Sequence, residues 1–217
     1  MRLGILYAME KEADRLLKKL EATPLETPAG MPIYALPGNH VLCVGGVGKV
    51  NAAMAAQLLI DHHQVDAICN AGCAGAFSDL AVGTIVIAEH CVQHDVDTTL
   101  AGDPPGFVST VAVTQFPCAA VPLEDAVSGV VATGDWFGRD LTRAERIRDT
   151  YHATVCDMEG AAVAQVCLRN GVDCMVIKSV SDHLFAPDQD VEYQENFARA
   201  MDALDAAVAA ILQQLED

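Results

Sequence analysis

Positive charge is scarce in this chain. Only 13 of its 217 residues are Lys or Arg, against 30 Asp or Glu, for a formal net charge of −17. Binding a polyanion draws on clustered Lys and Arg to displace counterions. No such cluster occurs, so nucleic acid is not expected as a partner, and the acidity is read as a solubility property. Aromatic residues make up only 5% although 52% are hydrophobic. The core must therefore come from Ala, Val, Leu and Ile, a composition suited to β-branched strands under Ala-rich helices. No stretch approaches the length of a membrane span. Residues 1–7 are too short for a signal peptide, and Glu10 and Lys11 follow. The eight cysteines include no C-x-x-C pair, which removes the zinc-ribbon and thioredoxin spacings. They are expected as free core thiols in a reducing cytoplasm.

What is present is an alternation of apolar runs with helical patterns. Strands are expected at Arg2–Tyr7, Ala67–Ala71, Thr84–His90, Gly129–Thr133, Thr154–Cys156 and Cys174–Val180. A hairpin is expected from Ile33–Leu36 and His40–Val44 around Pro37-Gly38-Asn39. Helices are expected over Lys11–Leu20, Lys49–His62, Thr142–Tyr151 (capped by Asp140), Met158–Asn170 (stopped by Gly171) and Val191–Leu215. Ala101–Pro122, rich in Gly and Pro, should be irregular. Such alternation predicts an α/β fold with a largely parallel sheet. With no repeat and no linker-like shift in composition, residues 1–217 are expected to form one domain.

Acids at strand ends are the informative residues, because open α/β proteins bind ligands there and an idle buried carboxylate is costly. Asp157, just before a helical pattern, reads first as an N-cap. Glu159 could serve the helix dipole, yet Gly160, Ala161 and Ala162 leave it room to face a ligand. Asp182 follows an apolar strand, and Glu12 by itself reads as a solvated helical acid. Two glycine-rich segments, Gly45-Gly46-Val47-Gly48 and Gly72-Cys73-Ala74-Gly75, read either as tight turns after strands or as backbone that a ligand can approach. Neither has a nucleotide-loop spacing. His94, Asp95 and Asp97 alternate faces on an extended strand, so no metal site is expected.

Seven segments together resemble the nucleoside phosphorylase superfamily, and within it the 5′-methylthioadenosine/S-adenosylhomocysteine nucleosidases. They are Gly4–Glu12, Gly46–Val50, Asn70–Gly75, His94–Asp97, Thr133–Asp135, Asp157–Ala161 and Ser181-Asp182, in the family's order across nearly the whole chain. The resemblance implies a three-layer α/β/α single domain around a central mixed sheet, a cytoplasmic homodimer with no cofactor, and a small nucleoside as substrate. It implies that Glu12 activates water and that Asp182 protonates the departing adenine. Glu159 and Met158 would hold the ribose, Met9 and Val47 would line the sugar pocket, Phe137 would stack on the purine, and Ser181 would orient Asp182. Cys73 stands where the family commonly has Ser, and Lys178 where the nucleosidases commonly have Arg. Glu12 in place of a phosphate-binding Arg favours hydrolysis over phosphorolysis. The resemblance leaves a sibling nucleosidase, for aminofutalosine or 5′-deoxyadenosine, as the alternative, with a phosphorylase behind it.

Overall fold

A computed structural model describes residues 1–27 and 30–216. The strands are β1 (Leu3–Tyr7), β2 (Thr23–Leu25), β3 (Ile33–Ala35), β4 (Val41–Val44), β5 (Ala67–Ala76), β6 (Ile85–Gln93), β7 (Phe116–Pro117), β8 (Val127–Thr133), β9 (Val155–Asp157) and β10 (Asp173–His183). The helices are α1 (Glu10–Lys19), α2 (Lys49–His63), α3 (Leu141–Tyr151), α4 (Gly160–Asn170) and α5 (Gln189–Glu216).

All ten strands join one sheet. β1 pairs in parallel with β4 and β5, and β3 and β2 extend the β4 side antiparallel. On the other side the sheet bends round on itself. β5 pairs with β10, β10 with β6, β6 with β8, β8 with β9, and β9 returns to β5. Closure hides the strand edges on that side. The expectation of a largely parallel sheet is corrected here: the β10–β6 and β9–β5 contacts are antiparallel, as are the hairpin pairs, so the sheet is mixed. The alternation of helices and strands says which strands are joined by helices, but not which meet across a closing seam.

Helices cover both faces. α2 and α4 bury Ala52, Ala55, Leu59, Ala161 and Val163 against one side, where small side chains let helix and sheet approach. α1 and α5 bury Ala13, Leu16, Leu204 and Val208 against the other. α3 closes a smaller cluster with Ile147 against Val130 and Phe77. Asp140 caps α3 as expected, its Oδ1 accepting from the Arg143 N–H at 3.0 Å. Gly171 ends α4 with φ of 67°.

Three boundaries differ in ways that matter. Gly72-Cys73-Ala74-Gly75 is no turn; β5 runs straight through it to Ala76. β10 likewise continues past Val180 to His183, with an irregularity between Val180 and Asp182. α4 begins at Gly160 rather than Met158. Small residues often punctuate strands, but in mid-strand here they serve close packing instead. β2 was not expected at all. The 101–122 segment is irregular apart from β7 and a bridge between Val108 and Val113.

Candidate active site

The strands β1, β4, β5, β8, β9 and β10 end around a cavity of about 340 Å³, within the size range of small-molecule sites. All nine residues singled out in the sequence line it: Met9, Glu12, Val47, Cys73, Phe137, Met158, Glu159, Ser181 and Asp182. They come from positions up to 173 residues apart (Met9 to Asp182), so only the closing of the sheet brings them together.

Glu12 is not a solvated helical acid; it is 3% exposed. It occupies the third position of α1 and caps the start of its own helix, Oε2 accepting from the Met9 N–H at 3.0 Å. Its Oε1 accepts from the Cys73 N–H at 3.3 Å. Thus the backbone of Cys73, not its thiol, steadies this carboxylate. The thiol itself is pushed up to about 12 by burial and by the Glu12 charge, which leaves it protonated.

Glu159 precedes α4, and its Oε1 accepts from the Gly48 N–H at 2.9 Å. Gly48 has φ of 95°, and a Cβ there would lie 3.0 Å from Asp135 Oδ1. The glycine-rich turn is therefore both things the sequence allowed: a tight turn, and a backbone donor aimed at a ligand-site acid. Asp135 completes the turn by accepting from the Lys49 N–H at the start of α2 (2.8 Å). Asp95 is committed elsewhere, pairing with Lys49 Nζ at 2.6 Å.

Asp182 is 2% exposed. Ser181 Oγ donates to its Oδ1 at 2.6 Å, as expected of an orienting residue. Gln189 Nε2 donates to Oδ2 at 2.8 Å. A Cβ at Gly75 would come within 2.9 Å of Asp182 Oδ2, so this glycine makes room for the acid. Burial raises the Asp182 carboxyl above its ordinary range, with the Ser181 and Gln189 hydrogen bonds pulling the other way.

Beneath the cavity lies Lys178, 1% exposed, its Nζ 2.7 Å from Asp157 Oδ2. Asp157 also accepts from Thr133 Oγ1 (2.5 Å) and from the Gly160 N–H (2.7 Å). The reading of Asp157 as a cap is thus half the account: it does bond the first helical N–H of α4, and it is also the counter-ion of a buried lysine. Burial opposes the Lys178 charge, but Asp157, Glu159 and Glu12 together raise it well above its usual range. One buried cation faces three acids.

Burial raises both Glu12 and Glu159, with Lys178 pulling each down; Glu159 reaches about 7. A carboxyl raised on folding binds more protons in the native state than in the unfolded one. Its ionisation therefore costs stability progressively from its unfolded value near 4.5 up to about 7, and fully above that. Glu159→Gln should be more stable than the parent above pH 7 by about 1–3 kcal/mol. The difference should vanish toward pH 4. Urea melts across this range would show it, and equal stability at pH 8 would contradict it.

Sequence reasoning missed Trp136, Leu184, Gln189 and Tyr193, which also line the cavity. Trp136 adjoins Phe137 and is the only tryptophan, a signal that was available. Its ring lies under Arg143 at 4.7 Å. Gln189 and Tyr193 sit in the first turns of α5, and nothing local ties them to the site. Phe137 stands at the rim, 57% exposed, edge-on to Tyr193 with centroids 5.7 Å apart.

A family model described as the phosphorylase superfamily matches residues 2–213. A 5′-methylthioadenosine/S-adenosylhomocysteine nucleosidase of Shewanella pealeana is 37% identical over 231 aligned residues, covering 99% of this chain and all of that one. Two solved nucleosidases of the same description are similar in fold. The one from S. pneumoniae, bound to the transition-state inhibitor MT-ImmA, has a TM-score of 0.89 at 29% identity, covering 99% of this chain and 100% of that one. The one from Colwellia psychrerythraea, in complex with adenine, has a TM-score of 0.88 at 32% identity, covering 99% and 96%. A family model spanning nearly every residue, a full-length relative and this arrangement of acids agree: the chain belongs to the phosphorylase superfamily, in its 5′-methylthioadenosine/S-adenosylhomocysteine nucleosidase branch.

Proposed function

We propose that this protein is a hydrolase that cleaves the N-glycosidic bond of 5′-thio-substituted adenosines, methylthioadenosine and S-adenosylhomocysteine, and releases adenine. The observation that carries this reading is the charge of the cavity wall. Glu12, Glu159 and Asp182 line it, while no Lys or Arg does so among the described residues. Breaking the bond leaves positive charge on the ribosyl group and negative charge on the base. Carboxylates around the sugar favour the first, and a protonated acid at the base relieves the second. Phosphate, a dianion, would meet repulsion at Glu12 and find no cation lining the cavity, whereas water would find an acceptor for its proton.

In this scheme Asp182 carries its proton to the purine, steadied by Ser181. Glu12 accepts the proton of the attacking water. Glu159 takes the ribose hydroxyls beside Met158, while Met9 and Val47 flank the sugar and Phe137 covers the base from the rim. The division of labour parallels the paired carboxylates of O-glycoside hydrolysis. No cofactor enters the scheme.

The same reading includes a homodimer in the cytoplasm, formed as one continuous domain over residues 1–217. Support for the dimer comes from α2, whose inner residues are buried while Val50 and Met54, one helical turn apart, are 79% and 45% exposed. Support for the compartment comes from the eight cysteines, all free thiols.

Incubating the protein with methylthioadenosine, with and without phosphate, tests the reaction. Adenine and free methylthioribose should form at the same rate in both. A phosphate requirement with a sugar 1-phosphate as product would overturn hydrolysis. Turnover confined to aminofutalosine or 5′-deoxyadenosine would move the protein to a sibling activity.

A further inference from the structure

Four of the eight thiols gather away from the cavity: Cys91 on β6, Cys118 immediately after β7, Cys174 on β10 and Cys167 on α4. None lines the cavity. Cys91 Sγ and Cys118 Sγ touch at 3.7 Å. The Cys174 thiol lies near enough to Cys118 and Cys167 for both to affect its ionisation, and Cys118 Sγ also lies 3.8 Å from the Phe116 carbonyl oxygen.

Within this group Cys118 differs from the rest. Cys91, Cys167 and Cys174 are buried, whereas Cys118 is partly exposed and is the one a solute can reach. Cys91 lies opposite Phe116 in the antiparallel β6–β7 pair. Cys118, two residues on, therefore points to the same side of the ribbon as Cys91. The neighbouring thiols of Cys174 and Cys91 pull the Cys118 thiol down to about 4, with His90 adding to the pull and burial and the Asp157 charge opposing it. Burial instead pushes the core thiols of Cys43 and Cys69 up to about 12. A partly exposed cysteine whose sulfur touches a second, buried one is the arrangement of a redox-active pair. Bonding needs the sulfurs to approach by about 1.7 Å. The backbone there is held, Cys118 N–H to the Glu89 carbonyl at 3.1 Å and Ala119 N–H to the Cys174 carbonyl at 2.6 Å, so the approach falls to χ rotation of the two side chains.

We propose that Cys118 and Cys91 are a site of oxidation by hydroperoxides, closing to an intramolecular disulfide. In the first step the Cys118 thiolate attacks a peroxide oxygen. The O–O bond breaks, Cys118 becomes a sulfenic acid, and the departing oxygen takes up a proton and leaves as water from hydrogen peroxide or as an alcohol from an alkyl hydroperoxide. In the second step Cys91 sulfur attacks the sulfenic sulfur, the S–OH bond breaks, and the thiol proton leaves with the hydroxyl as water. Two thiols lose two electrons to one peroxide. Cys118 is the attacking residue and Cys91 the resolving one.

Hydrogen peroxide added to the purified, fully reduced protein tests this, with intact-mass measurement and non-reducing peptide mapping as the readout. The expected result is a mass decrease of about 2 Da, from a link between the Cys91 and Cys118 peptides that a dithiol reductant reverses. Cys118→Ser should abolish the link. Cys91→Ser should leave a Cys118 sulfenic acid that dimedone traps. Serine is close in size to cysteine, and circular dichroism checks that each variant is folded; the map of the parent protein stands even if one is not. A Cys118 that stays a free thiol, or that oxidises to sulfinic acid without cross-linking, would overturn the proposal. So would a link from Cys118 to Cys174 in place of Cys91.

Discussion

Asp182→Asn should fold normally and lose turnover of methylthioadenosine by roughly a hundred- to ten-thousandfold, the usual contribution of a positioned general acid. Asparagine matches aspartate in size and can still accept the Ser181 hydrogen bond, made at 2.6 Å in the parent. What it lacks is a proton acidic enough to give away. The loss should therefore fall on the rate constant for cleavage more than on substrate binding. It should also nearly disappear for a 5′-methylthio riboside whose leaving group departs without protonation. Activity close to the parent's on adenine nucleosides would remove Asp182 from its role. The pH profile carries the same assignment. Asp182 must hold its proton, and burial raises its carboxyl, so activity should fall on the alkaline side as it ionises. Glu12 must be ionised to take a proton from water, and burial raises it too, so activity should also fall on the acid side.

Lys178→Met should be the most destabilising single change at the site, costing about 3–5 kcal/mol, because it leaves a buried carboxylate without its counter-ion. Asp157 would keep its hydrogen bonds from Thr133 and Gly160 but lose the ammonium group 2.7 Å away. The cost belongs to the orphaned charge rather than to the pair. Replacing both residues, Lys178→Met with Asp157→Leu, should recover much of the loss, since apolar pairs of similar volume commonly match buried ion pairs. Urea melts of the parent, both single variants and the double variant measure this as a cycle. Additive losses in the double variant would contradict the coupling. Lys178 also pulls Glu12 and Glu159 down. Its removal should thus move the acid side of the activity profile to higher pH in whatever fraction stays folded.

The candidate site was legible as a set of residues rather than as a set of contacts. Glu159 and Asp182 are marked by their neighbours, a run of small residues and a preceding apolar strand, whereas Glu12 by itself reads as a solvated helical acid. Their joint resemblance to a family's motifs then assigned them roles. Asp157 shows the limit. Its local setting, an acid three residues ahead of a helical N–H, reads as a cap, and the cap bond is there. Its counter-ion lies 21 residues later on another strand, and no local pattern couples the two. Gln189 was missed for the same reason, since one glutamine at a helix start carries no mark of the acid it touches.

The sequence by itself determined the alternation of strands and helices, the main helix stops and caps, the family, and which acids to watch. Those properties depend on spacing along the chain: hydrophobic period, turn residues and motif order are all local. The tertiary structure alone decided that β5 and β10 run on past their small residues, that the sheet closes through antiparallel seams, and that Glu12 is buried rather than solvated. Each of these turns on distance through space. Gly75 is a glycine within a strand because Asp182 of β10 packs where its side chain would be. Likewise the raised carboxyls of the cavity arise from desolvation and one shared lysine, which exist only once the strands are assembled.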